Sequence, residues 1–193
     1  MMDRQEKESR SVLQGEGDLD QMQATPLKIT PFFDLETFML LSGMKRIDGE
    51  TAQVLQREWH RIYDLLRGYR LGEPDSGYLV IYLDRPFDRE LEKARAEDRD
   101  RAERLEMIAQ SMILASLFEV LPESAEKGCA PVPQPNGLLD RSLSRLGLAF
   151  QPGGYLDVSF GLVTELPYRG DCDSCYARDG CTKRIFSEEE RAQ

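Results

Sequence analysis

The chain has 193 residues, 40% of them apolar, enough for one packed domain with tails. Its 35 acidic and 25 basic residues leave a formal net charge of −10, which repels a phosphate backbone and disfavours DNA or RNA as the main partner. No apolar run reaches the roughly 18 residues of a membrane span, and the polar first 20 residues hold no secretory core, so a cytoplasmic protein is expected.

Residues 1–26 are polar and poor in aromatics, and are expected to form a disordered N-terminal tail. A single domain is expected over 27–186, followed by a charged tail over 187–193. In the stretch from Phe32 to Leu41, Leu35 and Met39 stand four apart and Phe38 and Leu41 three apart, which is helical spacing that Gly43 ends. A second helix is predicted from Gly49 to Tyr69, capped by Asp48, with Val54, Leu55, Trp59, Ile62, Leu65 and Leu66 along its apolar side. Gly77 to Leu83 is β-branched and aromatic throughout, and its unbroken apolar character predicts a strand buried on both faces.

One long helix is expected from Pro86 to Leu121, stopped by Pro122. Its charged first half, with spacings such as Glu97–Arg101 and Asp100–Arg104, reads as a surface or projecting segment, either solvated or a docking arm for a partner protein. Its second half, Met107 to Leu121, is apolar nearly all round and predicts the central buried helix. Residues 122–137 read as a Pro-rich loop carrying Cys129, and Leu138–Leu148 as a short helix. After a turn at Pro152-Gly153-Gly154, the alternation of Leu156, Val158, Phe160 and Leu162 predicts a half-buried strand. The sum is an α+β fold, mostly helical, with a small sheet and a C-terminal cysteine-ligated metal module at 129 and 168–184.

The cysteines carry the chemistry. The run Gly170-Asp171-Cys172-Asp173-Ser174-Cys175-Tyr176-Ala177-Arg178-Asp179-Gly180-Cys181 has C-x2-C-x5-C spacing, and Cys129 lies 43 positions before Cys172. In a reducing compartment, clustered cysteines are more often metal ligands or redox groups than structural disulfides. Four thiolates complete the ligand set of a cubane [4Fe–4S] cluster, because its iron is held by soft, charge-donating sulfur. The same four would also close a structural zinc site, although zinc ribbons usually use two C-x2-C hairpins and this chain has one. A thiol redox pair or free thiols are the metal-free reading, and Cys129 is also readable as a half-buried free thiol. Arg169, Arg178, Lys183 and Arg184 outnumber Asp171, Asp173 and Asp179, so the segment is locally basic and suited to an anionic cluster.

This ligand pattern resembles that of the fumarate–nitrate reduction regulators, the WhiB-like proteins and the iron–sulfur exonucleases of the CRISPR and AddB type. In all three the resemblance implies a [4Fe–4S] centre, here with Cys129, Cys172, Cys175 and Cys181 as ligands. It covers the ligand pattern alone. No cyclic-nucleotide-type domain with a helix-turn-helix is apparent, and Thr182-Lys183-Arg184-Ile185 stands where the WhiB turn would be. The residues between Cys129 and Cys172 are too few to hold a nuclease core.

Elsewhere the sequence offers little chemistry. His60 is the one histidine, and a surface or packing role is expected of it. No G-x-S-x-G turn, phosphate loop or dinucleotide fingerprint occurs. Asp84 and Asp88 read as helix caps, and Tyr63, Tyr69, Tyr78 and Tyr82 as packing residues. The expected function is therefore electron transfer or redox sensing by a small iron–sulfur protein, alone or as a subunit of a larger complex. The alternative is an interaction or assembly factor stabilised by zinc or an inert cluster, and no independent catalytic activity is expected of either.

Overall fold

The strand over Gly77–Leu83 is the centre of the fold. The computed structural model describes residues 22–73, 75–127, 129–170 and 172–181. Four antiparallel strands lie in the order β1 (Ala24–Pro26), β2 (Leu66–Leu71), β3 (Gly77–Leu83) and β6 (Gly161–Leu166). In the central β3 alternate side chains serve two cores. Leu79, Ile81 and Leu83 join the larger cluster under the helices, and Val80 and Tyr82 join a smaller one on the opposite face. Burial on both faces accounts for the unbroken apolar run.

The larger core is covered by α1 (Leu35–Ser42), α2 (Gly49–Tyr63), α3 (Pro86–Glu97) and α4 (Arg99–Val120). The central place predicted for the second half of the long helix is where α4 sits, against α1, α2, α3 and β3, with Ile108, Met112 and Leu117 buried. The smaller core is closed by α6 (Gly137–Arg145) and the hairpin of β4 (Phe150–Gln151) with β5 (Tyr155–Leu156). The architecture is thus mixed helix and sheet, and helices dominate at 47% of the described residues against 17% in strands.

Several local expectations hold. Asp48 caps α2 through the Thr51 amide and Gly43 ends α1 at φ 68°, while Asp34, not named as a cap from sequence, caps α1 through the Glu36 amide. His60 is exposed, with Nδ1 2.7 Å from the Gln56 carbonyl. The short helix expected over Leu138–Leu148 is α6, which runs Gly137–Arg145; Asn136, not named from sequence, starts it by accepting from the amides of Leu138 and Leu139.

Other expectations are corrected. The helix drawn to Tyr69 ends at Tyr63, and Leu66–Leu71 is a strand instead. Gly68 lies mid-strand opposite Ile81, and a Cβ there would meet Ile29 Cδ1 at 2.2 Å. The long helix is two helices, because Asp98 leaves helical geometry (φ −153°, ψ 96°) and its carboxylate caps the Arg101 amide. Residues 86–97 therefore do not project; they pack on α4 through Phe87, Leu91 and Ala94, with Arg95–Glu106 and Arg101–Glu90 ion pairs between the two helices. Arg101 thus reaches Glu90 on α3. Within the Pro-rich loop, Glu123–Lys127 forms the one-turn helix α5.

The strand expected over 155–162 is a further correction. Its alternating residues split between the cores, Leu156 and Val158 to the smaller and Phe160 and Leu162 to the larger. The chain bends between them, fixed by Asp88 accepting from the Ser159 amide at 2.9 Å and by an Arg85–Asp157 ion pair at 2.6 Å. Asp88 thus ties a loop to α3 rather than capping it, and the cap expected of Asp84 and Asp88 is not formed: Arg85 stands at the N-cap with no side-chain cap bond. The expected tail contributes Ala24–Pro26 as β1, while residues 1–21 and the charged tail over 187–193 lie outside the described residues. No helix among the described residues is long and apolar enough to cross a membrane.

Candidate cysteine site

β6 lies at one edge of the sheet and ends at a cis Leu166–Pro167 bond. The chain before α6 crosses this edge. Ala130 packs on the larger core, and Val132 stands beside the β4–β5 turn, where Gly154 leaves room for its Cγ1. Four hydrogen bonds stitch residues 129–132 in place. Tyr168 Oη donates to the Cys129 carbonyl at 2.9 Å, and the buried Thr164 Oγ1 donates to the Pro131 carbonyl at 2.9 Å. The Tyr176 amide donates to the Val132 carbonyl at 2.8 Å, and the Val132 amide donates to Cys175 Sγ at 3.3 Å.

The two partners furthest along the chain belong to the cysteine loop. Cys129, remote in sequence from the other three cysteines, thus sits in a segment packed directly on the loop that carries them. The loop is a succession of three-residue turns: Cys175 N–H to the Cys172 carbonyl (3.3 Å), Arg178 N–H to Cys175 (3.1 Å) and Cys181 N–H to Arg178 (3.3 Å). The last is the short 3₁₀ turn Arg178–Gly180. C-x2-C-x5-C is a period-three spacing, so each cysteine falls on a turn boundary, where residues three apart tend to eclipse. An Arg178–Asp173 ion pair of 2.9 Å spans the turns, and the Tyr176 ring lies 6.2 Å from that of Phe150.

None of the four cysteines is paired in a disulfide; Cys172 is exposed, and Cys129, Cys175 and Cys181 are half-buried. The Tyr168 phenol has its pKa raised, first by burial and then by the negative charges of Cys129, Glu123 and Cys172. Cys129 and Cys172 therefore both lie within electrostatic reach of one phenol. Among the described residues, no three Cys, His, Asp or Glu side chains stand close enough together to hold a metal ion. The packing thus brings the Cys129 segment and the cysteine loop together without bringing three sulfurs to one point. Lys183 and Arg184, half of the expected basic surround, lie outside the described residues.

No family model, curated protein or solved structure matches the chain. The site therefore stands on its own residues.

Sequence reasoning missed Val132, Thr164, Tyr168 and Tyr176. Val132 carried a signal, being the one residue between two prolines and so the one backbone donor of that run. Thr164 and Tyr168 carried none, since their partners are carbonyls more than 30 residues away.

Proposed function

We propose that this chain is a small iron–sulfur protein that binds a [4Fe–4S] cluster through Cys129, Cys172, Cys175 and Cys181 and serves in electron transfer or redox sensing. The observation that carries the reading is the bonding of the Cys129–Val132 segment to the Cys175–Tyr176 turn. A distant fourth ligand is useful only if the fold brings its segment to the other three, and these bonds hold Val132, three residues after Cys129, against the loop that carries them.

The donor set fits the group. Four free thiols supply the soft ligands a cubane needs, and an amide already hydrogen-bonded to one sulfur is the kind of outer contact that tunes such a centre. Ligation would be completed by the exposed Cys172–Cys181 turns closing onto Cys129. When bound, the cluster supplies one-electron exchange. The chain's own part is to hold the sulfurs, shield one side with the β6 edge and leave the Cys172 side open to a partner protein. We place this activity in the cytoplasm, where thiols stay reduced.

A structural zinc site in an interaction factor is the second reading, favoured by the Cys172–Cys175 turn, a form that also presents two thiolates to one zinc. Anaerobic purification with iron, sulfide and zinc assayed on one sample separates them. About four irons and four sulfides, with a brown colour that bleaches on dithionite, is the expected result. A colourless protein with about one zinc would transfer the assignment to the structural site. Neither metal in the full chain would sink both. Cys129→Ser is expected to lower cluster retention sharply; full retention would remove Cys129 from the ligand set.

A further inference from the structure

We propose that the Val132 backbone amide is a positioning group for the centre: it holds the Cys175 sulfur ready for ligation and withdraws charge from it once ligated. The inference rests on the metal-binding reading above and adds a residue that the cysteine pattern does not contain.

The argument begins with Pro131-Val132-Pro133. Proline has no amide hydrogen, so Val132 holds the one donor of the run. Pro133 also biases Val132 to extended backbone, in which a residue's N–H and C=O address the same neighbour. Both of its groups do reach one turn, the amide to Cys175 Sγ at 3.3 Å and the carbonyl to the Tyr176 amide at 2.8 Å. The residue before it is anchored independently, since the Pro131 carbonyl accepts from Thr164 Oγ1, itself 1% exposed. Gly154 keeps the space beside Val132 clear, because a Cβ there would meet Val132 Cγ1 at 2.7 Å. Val132 is thus held from three sides, and its donor is delivered to a cysteine sulfur.

Hydrogen bonds to ligand sulfurs are among the factors that set a cluster's potential, because they draw electron density off the thiolate and favour the more reduced state. Groups that orient a ligand from outside also raise its retention. Val132 supplies both through its backbone, so the identity of its side chain should matter little and the presence of its N–H should matter greatly.

Two measurements test this. In the metal-free full chain, hydrogen exchange at the Val132 amide should be slow, and several-fold faster in Cys175→Ala; equal rates would overturn the contact. In the cluster-loaded chain, Val132→Pro, which removes the donor, should lower the midpoint potential relative to Val132→Ala, which keeps it. Equal potentials in these two variants would overturn the tuning role even if the amide is protected. If the wild-type chain takes up no iron, the functional reading fails and the tuning role with it. The exchange comparison needs no metal and no Val132 variant, so it still decides whether the amide holds the sulfur.

Discussion

Tyr82 makes the stability of this protein sensitive to alkaline pH by an amount that can be worked out. The residue lies in β3, 6% exposed, with its ring stacked on Tyr69 at 6.3 Å between centroids. Burial, followed by Tyr69 and Asp84, pushes its phenol from 10.0 up to about 12, against the opposing pull of Arg67 and Arg85. A raised folded-state pKa means that the stability is fully present below the unfolded value. Between pH 10 and 12 the unfolded chain loses the proton while the folded one keeps it, so stability falls as pH rises. At 1.36 kcal/mol per pKa unit, the loss by pH 12, where the folded phenol is itself half ionised, is about 2 kcal/mol. Single domains are stable by roughly 5–15 kcal/mol, so this is a large share. Tyr82→Phe keeps the ring and the stack and removes the titration. Urea unfolding from pH 9 to 12 should give a wild-type stability that declines relative to the variant's by about 2 kcal/mol, because the other titrations are common to both. The 295 nm absorbance should show one late-ionising tyrosine that the variant lacks. Parallel pH profiles would refute the reasoning.

Three further outcomes are expected. Gly77→Ala should destabilise by about 3 kcal/mol or more in urea unfolding, since at φ 122° its Cβ would fall 2.0 Å from the Leu71 carbonyl oxygen, a backbone atom that the hairpin register holds in place. Asp98→Ala should cost about 1 kcal/mol in thermal or urea unfolding by removing the cap on the Arg101 amide, with far-UV helicity nearly unchanged because Phe87, Leu91 and Ala94 still hold α3 on the core. Tyr168→Phe should cost about 1 kcal/mol and speed cluster loss on dilution, as the Cys129 carbonyl loses its donor; retention equal to wild type would show that the phenol does not hold this segment.

Much of the fold was legible in the chain because local physics decides it. Asp48 caps a helix through an amide three residues on, and Gly43 ends a helix by backbone freedom alone. The run Gly77–Leu83 announced a strand buried on both sides because neither of its faces carries a charge. The spacing of Cys172, Cys175 and Cys181 coincides with turn boundaries, since both depend on neighbours within a few residues.

Tertiary structure decided what local pattern leaves degenerate. Leu66–Leu71 fits a helix stripe as well as a strand, and pairing with β3 selects the strand. A helix through Asp98 satisfies the local charge spacing, yet the core is short, and burying both Phe87-Leu91-Ala94 and Leu105-Ile108-Met112 requires the chain to turn. Leu156, Val158, Phe160 and Leu162 alternate like one strand, and only the existence of two cores divides them. The same holds for the cysteines. Composition and spacing name the thiols, but only the antiparallel placement of β6 at the sheet edge, with Thr164 and Tyr168 catching carbonyls from the far side of α6, carries the Cys129 segment to the loop of the other three. Contacts between residues so far apart in the chain leave no periodic trace in sequence, because periodicity records which face of an element is buried and not what lies against it.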